Sequence, residues 1–308
     1  MEITNKVNVT ESQVNELEMH SLINIISVIN SHIQIIQYET GYEELFEPLI
    51  DDLMALADAC REKNIDQFNN QTVAQFKRDL FAKLDQLEEN VNSGNLKSEE
   101  TTYKSIFNEI FRVLNARVEE FITRWENPGK WEAHDIVAFK KDFNSFFYAM
   151  EKNSKGRYRI IFNIAEQEEK DYLVQFAINS DCENTIYIPI VLKDVIRDLI
   201  ANARKYTPPG GEINIGLSQK EGMFRFVVED SGYGIPKDEI ERIVEYGYRA
   251  TNIKDKVKTM GGGFGLTKAY YVTKKFGGRF WIESELNKGD ENFNRNSGAR
   301  PCYFCILI

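Results

Sequence analysis

Residues 198–211 read DLIANARKYTPPGG, and this stretch decides the fold. It is followed, in a fixed order, by DSGYGIP at 230–236, YGYRATN at 246–252 and GGGFGL at 261–266. Each segment alone is weak evidence for a binding site. The second segment, for example, is an acid followed by two glycines, which is usually only a turn. Few folds need all of them in this order, and together they predict a nucleotide pocket.

The first segment supplies an acid and an amide to one side of a helix predicted over Val191 to Lys205. Asp198 and Asn202 lie four residues apart, so both side chains face the same cavity. Mg²⁺ keeps most of its waters and takes only one or two oxygen ligands from protein. Asn202 is therefore the predicted metal ligand.

The second segment follows the alternating run Met223 to Val228, which predicts a strand that ends at Glu229 and Asp230. A carboxylate at that strand end can accept a hydrogen bond from an exocyclic amine. Gly232 and Gly234 allow the backbone to approach a flat ring closely. In the fourth segment, the glycines before the helical pattern Leu266 to Lys275 would aim backbone N–H groups at phosphates.

In these four segments the chain resembles the ATP-binding domain shared by histidine kinases, gyrase-like and Hsp90-like ATPases and the mitochondrial dehydrogenase kinases. The resemblance covers about residues 156–308, with the segments at the family's N, G1, F and G2 boxes. GGRFWIESELNKG at 277–289 looks like the closing strand region of histidine kinases. The resemblance implies an α/β sandwich with a mixed sheet covered on one face by helices, and ATP and Mg²⁺ as ligands.

By this resemblance Asn202 would hold Mg²⁺, Lys205 would face phosphate, Tyr206 would cover the adenine and Asp230 would read its amino group. The remaining positions implied for the pocket and its lid are Gly232, Gly234, Arg249, Gly261, Gly263, Gly265 and Leu266.

The chain departs from the histidine-kinase pattern at Asp198, where those kinases usually carry Asn. An acid there is closer to the hydrolysing ATPases and the dehydrogenase kinases, in which a carboxylate orients a water or a hydroxyl nucleophile. A second departure, at 290–301, lengthens the loop before the predicted last strand, Cys302 to Ile308. The lysine-bearing stretch from Arg249 to Gly263 predicts a mobile lid over the phosphates, with an ordinary solvated loop as the alternative.

The first half of the chain is different in kind. Apolar residues recur at helical spacing through long stretches without proline, which predicts an all-α domain over 1–153 before an ATP-binding domain over 156–308. Its five predicted helices span 10–39, 42–63, 65–92, 98–126 and 132–152.

The first helix carries two patterns. A heptad seam, fit for a two-helix or four-helix bundle, consists of Leu22, Ile26, Ile29, Ile33 and Ile36. A separate polar stripe, expected to face solvent, consists of His20, Asn24, Ser27 and Ser31. His32 sits instead in an apolar row and is predicted to be a packed core histidine.

The decapeptide HSLINIISVI, beginning at His20, resembles the phosphoacceptor helix of histidine kinases, with Asn24 where those helices commonly have Asn or Thr. A neutral imidazole is a competent nucleophile near pH 7. The departure is Ser21, where many members carry an acid. His134, next to Asp135 in the predicted last helix, ranks second as a phosphoacceptor.

The resemblance implies autophosphorylation of His20 in a homodimer, with transfer to an Asp on a response-regulator receiver domain. Input would come from another protein, because the chain lacks a periplasmic or light-sensing module. Other functions stay open: an ATPase, a kinase that phosphorylates serine on a partner with Asp198 as base, or a non-catalytic scaffold that binds nucleotide or a receiver.

Length and composition limit the classes of protein to which the chain can belong. The chain has 308 residues, enough for two cores, and a net charge of −10, which argues against a nucleic-acid surface. No run of eighteen apolar residues and no signal-peptide pattern occurs, so we expect a cytoplasmic protein that is not bound to a membrane. Cys302 and Cys305, three apart on a predicted strand, would face opposite sides, so no metal site is expected and the four cysteines are expected to be free thiols.

Overall fold

The computed structural model of the chain describes residues 1–5, 7–92, 100–154, 156–253, 256, 262–286 and 302–308. Contacts between these residues define two units. One unit is Thr10–Pro128, and the other combines Met1–Val9 with Gly129–Ile308. We call the first the helical bundle and the second the ATP unit, after the resemblance described above.

The helical bundle contains four helices within its described part: α1 (Glu11–Thr40), α2 (Glu43–Arg61), α3 (Asn70–Asn92) and α4 (Glu100–Glu126). Thr10 starts α1 with a capping box. The Thr10 hydroxyl accepts a hydrogen bond from the Gln13 N–H, and the Gln13 side-chain oxygen accepts one from the Thr10 N–H. Gly41 ends α1 in the left-handed region, at φ +74°. Helix α1 contacts α2 and α4, and α3 contacts the same two helices.

The predicted seam of α1 is confirmed as a core-facing row. Its five apolar side chains, from Leu22 to Ile36, are all at most 4% exposed. The partner helices are α2 and α4 of the same chain. By length and composition alone, residues Glu16–Thr40 could also cross a membrane, although this test is passed by core helices of soluble proteins as well.

The rest of the α1 surface is mixed. Asn24, Ser27 and Ser31 are exposed as predicted, whereas His20 is half-buried. The prediction for His32 was wrong: it is half-buried, with its ring edge-on to Phe107, and its row includes Val28 and Ile35, each 45% exposed. Periodicity identified this row as apolar but could not show that the bundle leaves it uncovered.

The ATP unit is built on a mixed sheet of six strands among the described residues, in the order β2, β3, β5, β6, β8, β7. The first three run parallel, and the others pair antiparallel. The strands are β2 (Ile160–Ile161), β3 (Tyr172–Ser180), β5 (Glu212–Lys220), β6 (Met223–Asp230), β7 (Arg279–Ser284) and β8 (Cys302–Leu307). Helices α6 (Leu192–Tyr206) and α7 (Gly265–Lys275) contribute to its single apolar core.

The predicted fifth helix begins later than expected and belongs to the other unit. Residues Trp131–Asp135 form strand β1, which pairs with β4 (Thr185–Pro189), and α5 spans Ile136–Asn153. Asp135 caps α5 by accepting from the Ala138 N–H at 2.8 Å. Three phenylalanines one turn apart on α5 enter the core of the ATP unit: Phe139, Phe143 and Phe147.

The division between the units therefore falls at Pro128 and Gly129, earlier than the boundary predicted near residues 153–156. His134 lies in β1 opposite Ile186 rather than in a helix. A five-residue strand leaves no distinct signal beside a long helical pattern, because its pairing partner lies fifty residues further along the chain.

Residues Met1–Val9 belong to the ATP unit, although the sequence placed them in the predicted all-α domain over 1–153. We call them the N-terminal strap. The Ile3 N–H donates to Phe280 at 2.8 Å, and the Ile282 N–H donates to Met1 at 2.9 Å, which adds an antiparallel segment beside β7. The Ile3 side chain is fully buried in the sheet core, and the Tyr270 hydroxyl donates to Asn5 at 2.6 Å.

Candidate functional site

Helix α6 presents the first group of candidate side chains. The helix ends one residue later than predicted, at Tyr206, and keeps Asp198 and Asn202 one turn apart. An added Cβ at Gly265 would lie 2.6 Å from the Asn202 Nδ2. The amide is therefore packed directly against the first residue of α7, where backbone N–H groups are available to anions.

Asp198 is not a free carboxylate. Its Oδ2 accepts a hydrogen bond from the Lys268 Nζ at 2.8 Å, across the α6 and α7 interface. The Lys268 side chain is 7% exposed and that of Asp198 is 39% exposed. The predicted base thus lies one turn from the predicted metal ligand, as expected, but it is held by a buried cation.

Asp230 ends β6 inside the core, where it is 4% exposed. Burial raises the pKa of its carboxyl to about 7, although hydrogen bonds from the Gly232 N–H and the Thr207 hydroxyl oppose the shift. A buried acid at a strand end, with few partners, has the chemistry to accept a hydrogen bond from an exocyclic amine.

The turn after Asp230 is held against α6 and β7 by backbone contacts. The Tyr233 N–H donates to the Tyr206 carbonyl at 3.1 Å, and the Ile235 N–H donates to the Ser284 hydroxyl at 2.7 Å. A Cβ at Gly232 would meet the Asp230 Oδ1 and the Tyr206 carbonyl at 2.5 Å each. Gly232 is required because no larger residue fits this floor.

Gly234 has a second reason to be glycine. Its φ is +71°, and a Cβ there would lie 2.1 Å from the Glu285 carbonyl oxygen. The Asn252 amide donates to the Gly234 carbonyl at 3.0 Å. The turn over residues 230–236 is thus fixed on one side by β7 and on the other by the segment YGYRATN.

The segment YGYRATN is itself anchored by Glu239, which the sequence analysis did not single out. Glu239 is 6% exposed and accepts from the Thr251 N–H at 2.9 Å and from the Tyr248 hydroxyl at 2.8 Å. Burial raises its pKa, but hydrogen bonds from Thr251 and Tyr248 outweigh burial and leave the pKa below its usual value. Nothing in the sequence distinguishes Glu239 from the acids beside it.

The same segment contacts the glycine box that precedes α7. The rings of Tyr246 and Phe264 lie 4.8 Å apart, and the Thr267 hydroxyl donates to the Glu245 carbonyl at 3.0 Å. Gly263 has a φ of +74°, and a Cβ there would lie 2.7 Å from the Tyr248 carbonyl oxygen. The segment YGYRATN and the glycine box before α7 therefore pack together as one wall of the candidate site.

A cluster of positive charge lies beside this wall, at the end of α6. Burial lowers the pKa of Lys205, and the nearby charges of Arg249 and Arg204 lower it further. Burial raises the pKa of the Tyr206 hydroxyl, which Arg249 partly offsets. Like charges held together are costly, and a bound phosphate would relieve that cost.

Part of the predicted lid lies outside the described residues, including Lys254, Lys258 and Gly261, and so does the loop 290–301. Of the lid lysines, Lys256 is described, and its Nζ lies 4.8 Å from the centre of the Tyr233 ring. Leu266, in the first turn of α7, packs half-buried against the core.

The residues fit a nucleotide with its metal. At Gly232 and Gly263 a Cβ would lie within 2.7 Å of neighbouring protein atoms, so the two glycine turns pack closely through their backbone. Asn202 offers the amide oxygen that Mg²⁺ accepts, one helical turn from a carboxylate. The candidate site therefore combines a buried acid, an amide and a basic cluster, the groups that a nucleotide with its metal would require.

The candidate phosphoacceptors are divided between the units. His20 and Asn24 lie on α1 in the helical bundle, whereas His134 lies in the ATP unit. His134 is half-buried with its ring against Phe139, and burial together with the charge of Lys193 lowers its pKa. His134 lies in a strand and not on a helix of the bundle, so His20 on α1 stays the predicted phosphoacceptor.

Comparisons with known proteins match this part of the chain to a described family. Residues 188–294 match the family described as histidine kinase-, DNA gyrase B- and HSP90-like ATPase. The chain is 41% identical over 95 residues to the sensor histidine kinase RppB of Synechocystis, which covers 31% of this chain and 21% of RppB. It is 26% identical over 273 residues to the sensor histidine kinase WalK of Bacillus subtilis, covering 86% of this chain and 41% of WalK.

The chain thus spans less than half the length of these two relatives. Among solved structures, the catalytic domain of the histidine kinase ThkA is similar with a TM-score of 0.39 and 18% identity, over 58% of this chain and 97% of that one. The curated relatives that we cite are all sensor histidine kinases, and the matched family binds ATP.

Proposed function

We propose that this chain, which carries a domain of the histidine kinase-, DNA gyrase B- and HSP90-like ATPase family, is a protein histidine kinase that phosphorylates His20. The observation that carries the proposal is the packing of the Asn202 amide against the first residue of α7, with Asp230 buried beside the glycine turn that meets the last residue of α6. Similarity to WalK supports it, because an alignment of 273 residues extends beyond the ATP unit into the helical bundle.

Each part of the pocket has a task in this proposal. The Asp230 carboxylate accepts from the adenine amine, and Gly232 and Gly234 let the backbone lie against the ring. Lys205, Arg249 and the free N–H groups at the start of α7 hold the phosphates. Mg²⁺, held through Asn202, would offset negative charge on the transferring phosphoryl group.

The acceptor in this proposal is His20 on α1. An imidazole nitrogen attacks with its own lone pair, so the reaction needs positioning more than it needs a base. Asn24 lies one turn further along the helix and is exposed, where it can orient the ring. The chain has Ser21 in place of an acid next to His20, which fits an acceptor that works without an adjacent base.

Partners belong to the same proposal. Transfer from phosphorylated His20 to an Asp of a response-regulator receiver domain follows from the kinship with sensor histidine kinases. A homodimer is supported by the exposed apolar positions Val28 and Ile35 on α1, which the chain's own bundle leaves uncovered. Cytoplasmic location is supported by the burial of the α1 seam against α2 and α4.

A second function, ATP hydrolysis or serine phosphorylation with Asp198 as base, is favoured by the identity of that residue. Water and a serine hydroxyl both need to lose a proton as they attack. The contact between Asp198 and Lys268 at 2.8 Å makes this reading weaker than the first, because one carboxylate oxygen is already engaged.

The test is to incubate the full chain with Mg²⁺ and γ-labelled ATP, beside a His20→Gln variant. His32→Gln is the matched control, since it changes the same residue type on the same helix. We expect acid-labile, alkali-stable label on the parent and the control, and none on His20→Gln. Phosphate release without labelled protein, abolished by Asp198→Asn, would instead identify an ATPase.

A further inference from the structure

The ion pair between Asp198 and Lys268 is a feature that nucleotide binding does not explain. The two residues are seventy positions apart and lie on different helices that enclose the pocket, α6 and α7. Their side chains meet at 2.8 Å, within one helical turn of Asn202 on one side and of Gly265 on the other.

The pair is asymmetric in its exposure to solvent. The Lys268 side chain is 7% exposed, whereas the Asp198 side chain is 39% exposed. A buried ammonium is costly unless it is paired, so Lys268 requires Asp198. Asp198 does not require Lys268 to the same degree, because water can reach the carboxylate.

The position of Lys268 in α7 is also electrostatically unfavourable for a positive charge. It stands near the N-terminus of α7, where the helix dipole favours negative rather than positive charge. An apolar residue would pack there without that cost. The presence of a buried lysine therefore points to a role that depends on its contact with Asp198.

We propose that Lys268 is a positioning residue that holds the Asp198 carboxylate and prevents it from acting as a base toward water in the pocket. This inference rests on the proposed function of the same site. It specifies how a pocket with an acid beside the metal ligand transfers phosphoryl to protein instead of hydrolysing ATP.

The two reactions differ in where a proton must go. Water forms a new P–O bond as the bond from γ-phosphorus to the bridging oxygen breaks, with the electron pair leaving on ADP, and the water proton passes to a base. An imidazole nitrogen forms a P–N bond while the same bond breaks, and the proton on its second nitrogen is released to solvent. Engaging Asp198 therefore suppresses the first reaction and spares the second.

The experiment measures hydrolysis without the acceptor, in the full chain carrying His20→Gln. Phosphate release at saturating ATP and Mg²⁺ is compared between that protein, Lys268→Met, and the double variant Asp198→Asn,Lys268→Met. Binding of a fluorescent ATP analogue is measured in parallel, as a readout that does not depend on turnover. Lys274→Met is the matched control, because Lys274 is exposed on the same helix.

We expect Lys268→Met to raise phosphate release about a hundredfold, the low end of general-base effects, with analogue affinity unchanged. The double variant should return to the starting rate, and Lys268→Arg should keep it, because a cation still engages the carboxylate. A purely structural role for Lys268 would not give this reversal.

Unchanged phosphate release in Lys268→Met, with analogue binding intact, would overturn the inference, as would a rise that persists in the double variant. If Lys268→Met does not fold by circular dichroism, Lys268→Gln is measured in its place under the same expectations. Failure of the proposed kinase function is a separate result: it would appear as absence of label at an intact His20, while the hydrolysis comparison still decides the role of Lys268.

Discussion

Replacement of Ile3 by Ala tests whether the N-terminal strap is an integral part of the ATP unit. Ile3 is fully buried in the same core as the sheet strands. Truncation removes about 0.8 kcal/mol of transfer free energy for each of the three carbon groups lost. The cavity that remains adds to this, so we expect a loss of about 3 kcal/mol in the free energy of unfolding.

The matched control is Ile164→Ala, which makes the same change in the same unit at a side chain that is 67% exposed. A surface substitution of this kind should cost less than about 0.5 kcal/mol. The assay is urea denaturation followed by the fluorescence of Trp281, whose backbone pairs with Glu2, with Trp125 and Trp131 replaced by Phe.

With an m-value of about 2 kcal/mol per molar urea, the Ile3→Ala midpoint should fall by about 1.5 M. The Ile164→Ala midpoint should move by less than about 0.3 M. Equal midpoints for the two variants would refute the reasoning, because they would mean that the strap is not packed against β7 in solution.

Two further predictions concern the pocket, and a third concerns the edge of the sheet. Because the pKa of Asp230 is raised to about 7 in the folded chain, the folded state binds a proton more tightly than the unfolded state. Stability should therefore fall as pH rises from about 4 through about 7, by up to about 1.4 kcal/mol per pH unit, and pH-dependent thermal unfolding should show a flatter profile for Asp230→Asn. Gly265→Ala should weaken binding of an ATP analogue with Mg²⁺ about tenfold or more, because its Cβ would lie 2.6 Å from the Asn202 amide, whereas Gly216→Ala, with open space around its Cβ, should bind normally in the same fluorescence titration. Arg159→Ala should lower the urea midpoint, because it leaves the buried Asp171 carboxylate with the Glu168 N–H but without its bonds to Nε and Nη2; an unchanged midpoint would show that water replaces the arginine.

The elements that hold the pocket were predictable from the sequence because their signals are local. Helix α6 and strand β6 combine a clear period with glycine or polar residues at the ends, and their bounds agree with prediction to within one residue. The glycines of the pocket were predictable for the same reason. A Cβ at Gly232 or Gly234 would clash with neighbouring protein atoms, which is why glycine stands there.

The parts that were missed depend on contacts between distant residues. Ile3 lies between polar residues and has no periodic neighbours, so its burial follows only from the free edge of β7. The partner of Asp198 is seventy residues away, and no spacing rule connects two helices at that distance. The α5 pattern is truly helical, but its phenylalanines do not reveal which of two cores they enter.

The order of strands in the sheet has a consequence for the growing chain. Strand β8 (Cys302–Leu307) lies between β6 and β7, so two earlier strands cannot be joined until residues after 302 have left the ribosome. The backbone pairing of Ile3 cannot form until β7 has been synthesised. The helical bundle has no such delay, since the contacts among its described residues can form once Pro128 emerges. During synthesis the bundle can therefore form first, while Ile3 stays unpaired until the sheet of the ATP unit closes.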